Sequence, residues 1–161
     1  MYEPRTGDYG LVQTSGFFGF LIQLGTFSKV NHAFIYEGDG IIIEAKPRQG
    51  VTRSPVSDYE GIIWSKWDAL TDSQREAVVA FAALQVGKKY FFGDIVVIAA
   101  RILRIPVPKI ILKRIAHEGG IREICSDMAT RCWRNAGVEI EPDKPSYFVT
   151  PSDLLYRQFN L

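Results

Sequence analysis

A glycine-rich turn between two apolar segments is the feature that most constrains the fold of this chain. The segments Ala33–Tyr36 and Ile41–Ala45 flank Gly38-Asp39-Gly40. Such a turn between two runs of apolar, β-branched and aromatic residues is typical of a β-hairpin, because glycine and aspartate adopt the left-handed backbone angles that tight hairpin loops need. The sequence therefore predicts an antiparallel pair of strands between residues 33 and 45.

Periodicity, capping residues and turn residues predict further strands and helices around this hairpin. Strands are expected at Tyr9–Gln13, after the turn Gly7-Asp8, and at Gly61–Trp67, with a strand-like segment at Tyr147–Val149. Helices are expected at Phe17–Phe27; at Asp72–Val86, ending at Gly87; at Ile95–Arg104; at Pro108–Glu118; from Cys125 or Ser126 to just before Gly137; and from Thr150-Pro151-Ser152-Asp153 onward. Because strands and helices are segregated rather than alternating, we expect an α+β fold with an antiparallel sheet packed against helices.

Composition narrows the class of protein. The 161 residues match one ordinary domain, so a single domain over residues 1–161 is expected. A hydrophobic content of 47% excludes wholesale disorder, and a net charge of +1 argues against a nucleic-acid binder. Two cysteines are too few for a disulfide scaffold, and on one helix Cys125 and Cys132 would lie ~10.5 Å apart along the axis, too far to bridge.

The apolar segments of the chain bear on its localisation, because a signal peptide and a membrane span each need a long apolar segment. The N-terminal residues contain no apolar region typical of a signal peptide. The longest uncharged apolar segment, Ile95–Ala100, is far shorter than the ~20 residues that span a bilayer. A cytoplasmic protein is the default expectation.

Cys125 is the candidate nucleophile. It lies where a helix is expected to begin, and the partial positive charge of a helix N-terminus lowers the pKa of a thiol. Cys132 lies in the middle of that helix, on an apolar face with Met128 and Ala129, and is expected to be a core residue. A buried structural role is the alternative for Cys125 as well.

His32 and Glu44 are the candidate base and orienting residue. With a three-residue hairpin loop and a left-handed Gly40, Glu37 pairs with Ile41 and Phe34 pairs with Glu44. Glu44 then lies diagonal to His32 on one face of the hairpin, ~7–8 Å away and within reach of long side chains. A two-residue loop would place Glu44 on the opposite face.

Each of these residues also has a structural interpretation. His32 can be an ordinary structural histidine, and Glu44 can point to water from the end of its strand. His117, the other histidine, lies near a predicted helix end in a basic segment and is expected on the surface. Cys125, His32 and Glu44 together nevertheless supply a nucleophile, a base and an orienting carboxylate, which is the composition of a catalytic triad.

Seven short segments then point to a family. They occur in one order along the whole chain: Gly7–Val12, Asn31–Tyr36, Ile42–Ala45, Gly50-Val51, Gly87–Tyr90, Ile124–Asp127 and Val149–Leu154. With these segments the chain resembles the circularly permuted branch of the papain-like NlpC superfamily. It is similar to the YiiX/YaeF-like hydrolases and, more distantly, to lecithin:retinol acyltransferase-like proteins. In this branch the histidine precedes the cysteine.

The resemblance implies a permuted papain-like fold and hydrolysis or acyl transfer at an amide or ester carbonyl. It implies Cys125 as nucleophile, His32 as base and Glu44 as third polar residue. The backbone N–H of Cys125 is a candidate oxyanion donor. Tyr90 and Ser126 are further candidates for oxyanion or substrate contact, with core packing as the alternative for Tyr90.

The segment 94–118 matches no part of the family pattern. Residues 88–122 carry eight basic and two acidic side chains, and the second predicted helix places Ile111, Leu112 and Ile115 on one face beside Lys109 and Lys113. A basic amphipathic helix pair suits an anionic membrane surface or a lipid-like substrate. The alternative is a pair packed in the core with a solvated basic rim. A non-catalytic family member that binds lipid or protein through this hairpin is the rival function.

No cofactor is expected. The spacing between the two cysteines and between the two histidines matches no usual zinc pattern. The sequence contains neither a P-loop nor the GxGxxG fingerprint of dinucleotide-binding folds, so nucleotide chemistry has no support.

Overall fold

The computed structural model describes residues 2–15, 28–46, 49–66, 70–89, 125–146 and 149–159. Within these ranges five antiparallel strands form one sheet in the order β4-β3-β2-β1-β5. The described chain also contains three α-helices and a 3₁₀ turn at Val56–Asp58. The strands are β1 (Tyr9–Val12), β2 (His32–Gly38), β3 (Ile41–Lys46), β4 (Gly50–Pro55) and β5 (Ile63–Trp64), and the helices are α1 (Asp72–Ala83), α2 (Cys125–Asn135) and α3 (Pro151–Phe159). The predicted α+β class, with an antiparallel sheet packed against helices, is confirmed.

The β2–β3 hairpin has the predicted register at Glu44 but a different loop. Gly38, rather than Glu37, pairs with Ile41, so the predicted Glu37–Ile41 pair is wrong and the loop contains only Asp39 and Gly40. Both loop residues have positive φ, 49° and 74°, as a two-residue type I′ turn requires. The register shifts between Tyr36 and Gly38, which leaves Glu37 as the extra residue of a β-bulge.

This bulge compensates for the short loop. A two-residue loop alone would turn Glu44 to the opposite face, but the extra residue in β2 moves the register by one position. Phe34 consequently pairs with Glu44, as the sequence predicted. Because side chains alternate along a strand, His32, Phe34 and Glu44 lie on the same face of the sheet.

The two faces of the sheet bury different clusters. One face carries Tyr9, Leu11 and Ile35 into the main core, where the helices contribute Met128 and Trp133. The other face carries a smaller cluster of Val12, Phe34, Ile42 and Trp64, covered by residues from the chain between β4 and β5. His32 and Glu44 belong to this second face. A Cβ at Gly10 would overlap the Phe34 ring, so the glycine lets that ring pack closely against β1.

Helix α1 begins with a capping box and ends earlier than predicted. The Thr71 side chain accepts from the Gln74 backbone, and the Gln74 side chain accepts from the Thr71 backbone. The predicted end at Val86 is wrong, because the helix ends at Ala83 and turns toward β4. There the backbone N–H of Gly87 donates to the Val51 carbonyl, and Val51 donates to Lys88. Pairing with an edge strand thus ends the helix.

Helices α2 and α3 follow the predictions closely. Helix α2 begins at Cys125 and ends at Asn135, before Gly137. It packs against β2 on one side and α1 on the other. Helix α3 begins at Pro151, within the predicted starting segment.

Several sequence predictions differ from the structure or fall beyond it. Strand β4 has no counterpart among the predicted strands. In the described part of the predicted strand Gly61–Trp67, which ends at Lys66, only Ile63-Trp64 forms a strand, and Val149 belongs to no strand. The predicted helices at Phe17–Phe27 and within 94–118 lie outside the described residues, as do Trp67, Tyr90, His117, Tyr147 and Phe148.

Candidate active site

Cys125 is the first residue of α2, and its side chain is nearly enclosed. The residue is 3% exposed and lies at the boundary between the helix and β2. Backbone hydrogen bonds from Ala33 and Ser126 reach its sulfur. An N-terminal helix position with two backbone donors favours a thiolate over a thiol.

His32 lies between this sulfur and a carboxylate. Its ring interacts with the Cys125 side chain on one side. On the other, its Nε2 lies 2.7 Å from Oε2 of Glu44. The structure therefore brings all three predicted triad residues together, in the order sulfur, imidazole, carboxylate.

Glu44 is held from several directions although it is completely buried. The Tyr59 hydroxyl donates to Oε2 at 2.6 Å, the same oxygen that accepts from His32. Lys46 Nζ lies 2.9 Å from the other oxygen, Oε1. These contacts explain how a carboxylate can lie within an apolar strand without remaining unpaired.

The charges of the site favour an ion pair between cysteine and histidine. Burial lowers the pKa of His32, but the adjacent Cys125 sulfur and the Glu44 carboxylate outweigh it and raise the pKa to about 9. Burial raises the pKa of Cys125, but His32 and the two backbone hydrogen bonds outweigh it and lower that pKa. Both shifts favour the imidazolium and thiolate form of the pair over the neutral form.

The pKa of Glu44 moves in the direction that an orienting residue needs. Burial raises it, while hydrogen bonds from His32, Ser54 and Tyr59 outweigh burial and lower the pKa to about 2. Glu44 thus stays ionised across the physiological range. It can accept from the imidazolium at every pH where the ion pair exists.

An aromatic wall limits the movement of the imidazole. The Tyr59 ring lies 5.8 Å from the His32 ring and stacks on Phe34 at 5.4 Å. Phe34 itself lies 6.2 Å from His32. These rings fix the orientation of His32 from the side opposite the main core.

The remaining predicted site residues have different fates. The Ser126 hydroxyl is fully buried and donates to the Val149 carbonyl at 2.7 Å, so a substrate contact by this residue would involve its backbone N–H. Tyr90 and His117 lie outside the described residues. Cys132 is fully buried in the main core, as expected. The two cysteines are not joined by a disulfide.

Sequence reasoning missed Tyr59 and Lys46. Lys46 had a usable signal, because it follows Glu44 by two residues and strand alternation puts both on one face. Tyr59 had none. It reaches Glu44 only because β4 and the 3₁₀ turn Val56–Asp58 bring the chain back over the hairpin, and that path depends on tertiary structure.

Among the described residues, no group of three or more histidine, cysteine, aspartate or glutamate side chains is placed to hold a metal. Within the same residues, no helix has both the length and the apolar content to cross a bilayer.

Comparison with known proteins does not identify the chemistry of this site, so the chemistry is inferred from the geometry described above. No protein-family model matches the chain, and no curated protein matches it significantly.

Proposed function

We propose that the protein is a cysteine hydrolase or acyltransferase that acts on an amide or ester through an acyl-enzyme. Cys125 is the nucleophile, His32 the general acid and base, and Glu44 the orienting residue. The observation that carries the proposal is the position of His32, which interacts with the Cys125 sulfur and lies 2.7 Å from Glu44. Peptide, peptidoglycan-type and acyl-lipid substrates all present a suitable carbonyl.

The proposed reaction has two stages. In the first, the Cys125 thiolate forms a bond to the carbonyl carbon, and the carbonyl oxygen becomes an oxyanion near the start of α2. The intermediate collapses, the bond to the leaving group breaks, and the imidazolium of His32 donates its proton to that group. The product is a thioester between the acyl group and Cys125.

In the second stage, neutral His32 removes a proton from water or from an acceptor alcohol or amine. The activated oxygen or nitrogen attacks the thioester carbonyl, and the Cys125 thiolate leaves. His32 is again an imidazolium and the ion pair is restored. Glu44 keeps the ring oriented throughout and stabilises its positive charge, without exchanging a proton itself.

A permuted papain-like fold is the more specific architecture that we propose. The α+β sheet, the cysteine at the start of α2 and the placement of histidine and glutamate before cysteine in the chain support it. The rival function is a non-catalytic module that binds lipid or protein through the predicted hairpin at 94–118. The thiol chemistry of Cys125 distinguishes the two, because a binding module has no need of an ionised cysteine beside a histidine.

The test combines thiol-directed activity probes with a panel of amide, ester and thioester substrates, followed by mass spectrometry of the intact full chain. We expect an acyl adduct on Cys125 in the wild type and in Cys132→Ala, which serves as the matched control. Cys125→Ala should give neither adduct nor turnover. The proposal is wrong if the panel and the probes leave Cys125 unmodified, or if Cys125→Ala retains the wild-type rate.

A further inference from the structure

Lys46 occupies a position that the proposed reaction does not use. It lies two residues beyond Glu44, at the end of β3. Its Nζ lies 2.9 Å from Oε1 of Glu44 and donates to the Ser54 hydroxyl at 2.9 Å. The Lys46 side chain is 24% exposed, whereas that of Glu44 is fully buried.

The Glu44 carboxylate therefore faces two cationic side chains with different oxygens. Oε2 accepts from His32, and Oε1 faces Lys46. In a triad with a single cation, the whole charge of the carboxylate would act on the imidazolium. Here the Lys46 side chain competes for it from 2.9 Å, a distance short enough for a strong interaction with a fully buried carboxylate.

We propose that Lys46 is a positioning residue that shares the Glu44 carboxylate with His32 and so limits how tightly the imidazolium holds its proton. The proposal rests on the function proposed above, because a general acid must release its proton to the leaving group. An acid whose proton is held too strongly transfers it slowly, and efficient catalysts keep the pKa of this group near the working pH.

The other titratable and charged groups around the site are few among the described residues. From α2, Cys125 faces His32 and stabilises its cation. Tyr59 directly follows the 3₁₀ turn, and its hydroxyl donates to Glu44. Burial first and then that hydrogen bond raise the pKa of Tyr59, which keeps it neutral. Asp58 lies 4.0 Å from Lys46, and its side chain is about half exposed.

Among the described residues, Lys46 is the one cationic side chain besides His32 that contacts Glu44. Removing its charge relieves the repulsion that it exerts on the imidazolium and leaves Glu44 to act on His32 alone. Both effects have the same sign, and each raises the pKa of His32.

The test compares Lys46→Met, Lys46→Gln and Lys46→Arg in the full chain without substrate. Lys46→Met removes the charge at similar length, Lys46→Gln keeps a donor without the charge, and Lys46→Arg keeps the charge. The readouts are the His32 titration by NMR and the ultraviolet absorbance of the Cys125 thiolate against pH. Lys144→Met is the control, because Lys144 also lies in a close ion pair, 2.6 Å from Asp153, and its described contacts include neither His32 nor Glu44.

We expect the His32 midpoint to rise by about one pH unit in the methionine and glutamine variants and to return toward wild type in Lys46→Arg. With a substrate from the panel, kcat should fall in the uncharged variants with little change in KM. An unchanged or lowered His32 midpoint in whichever uncharged variant folds, or an equal shift in Lys144→Met, would overturn the inference. The titrations need no turnover, so a shifted midpoint without any activity would instead count against the proposed function.

Discussion

The His32 ring and the Glu44 carboxylate are joined across the β2–β3 hairpin by a contact of 2.7 Å between Nε2 and Oε2. The His32 side chain is 10% exposed and that of Glu44 is fully buried. Because water scarcely screens this contact, the charge of Glu44 acts strongly on the imidazole and, through it, on the Cys125 sulfur.

Glu44→Gln should keep the fold and lower the pKa of His32. The amide can still accept a hydrogen bond from the ring, but the negative charge that favours the imidazolium is lost. The Cys125 thiolate becomes less favoured, and turnover should fall about 10²-fold, against about 10⁴-fold or more for Cys125→Ala. NMR titration of His32 and rates on an active substrate check this. An unchanged His32 midpoint in the folded variant would contradict the assigned role of Glu44.

The two cysteines should differ sharply toward iodoacetamide. The pKa of Cys125 is lowered, because His32 and two backbone hydrogen bonds outweigh the effect of burial. Cys132 is fully buried in the apolar core. Peptide mapping of the folded protein at neutral pH should find Cys125 alkylated at least about 10-fold faster. Equal rates before unfolding would remove the case for an activated nucleophile.

Acid should destabilise the protein through Glu44. Its folded-state pKa of about 2 is below the usual value of 4.5. A lowered pKa contributes stability that is present above pH 4.5 and is lost as the pH falls through about 2. Wild type and Glu44→Gln should therefore differ in free energy of unfolding by up to about 3 kcal/mol near neutral pH, and the difference should shrink between pH 4.5 and 2. Denaturant titrations across that range measure it, and a constant difference would be inconsistent with the lowered pKa.

A buried ion pair far from the triad in sequence should be important for stability. Arg75 Nη1 donates to Asp8 at 2.8 Å, with side chains 4% and 0% exposed, and links α1 to the turn before β1. Arg75→Met leaves Asp8 charged and buried, and should lower the free energy of unfolding by about 3–5 kcal/mol. The control is Arg5→Met, which removes an exposed pair with Asp72 and should cost at most about 1 kcal/mol. Similar losses in both variants would show that burial of the pair is not decisive.

The basic segment within 94–118 gives a prediction about membranes. We expect the full chain to bind anionic liposomes at low salt and to bind less as salt rises, since exposed charges are screened beyond ~8–10 Å at physiological ionic strength. Neutralising Lys109, Lys113 and Arg114 together should weaken co-sedimentation. Binding that changes neither with salt nor with these substitutions would favour the interpretation that the predicted helix pair packs in the core.

The sequence was sufficient where local rules and tertiary structure agree. Alternation and turn chemistry predicted the Phe34–Glu44 pair, although the loop is one residue shorter than predicted and the bulge at Glu37 restores the register. Apolar residues at helical spacing predicted a helix from Cys125 or Ser126, and α2 begins at Cys125. The end of α1 could not be predicted in this way. The chain leaves the helix after Ala83 in order to pair with β4, a partner more than thirty residues earlier that no local pattern reveals.

The contacts around Glu44 could be predicted only in part for a similar reason. The side chain of Lys46 could be placed by counting residues along one strand. Tyr59 contacts the same carboxylate from a turn that closes over the hairpin, and its hydroxyl had no partner that the sequence could identify. The polar neighbours of a buried charge come from whichever elements pack against it, so they become visible only once those elements are in place.

The bulge at Glu37 shows that the triad depends on the number of residues in the hairpin, because one residue more or fewer would move Glu44 to the other face of the sheet. His32 and Glu44 are twelve positions apart in the sequence, and they share a face because the extra residue in β2 offsets a loop one residue shorter than predicted. A three-residue loop without a bulge would place Glu44 on the same face of the sheet. Evolution could therefore replace one arrangement by the other without separating His32 from Glu44. Exchanging Glu37 for another amino acid leaves the number of hairpin residues unchanged, whereas deleting one residue from the hairpin would turn Glu44 toward the main core. Related chains that retain this chemistry should therefore vary the hairpin by substitution or by paired insertion and deletion, and not by a single unmatched residue.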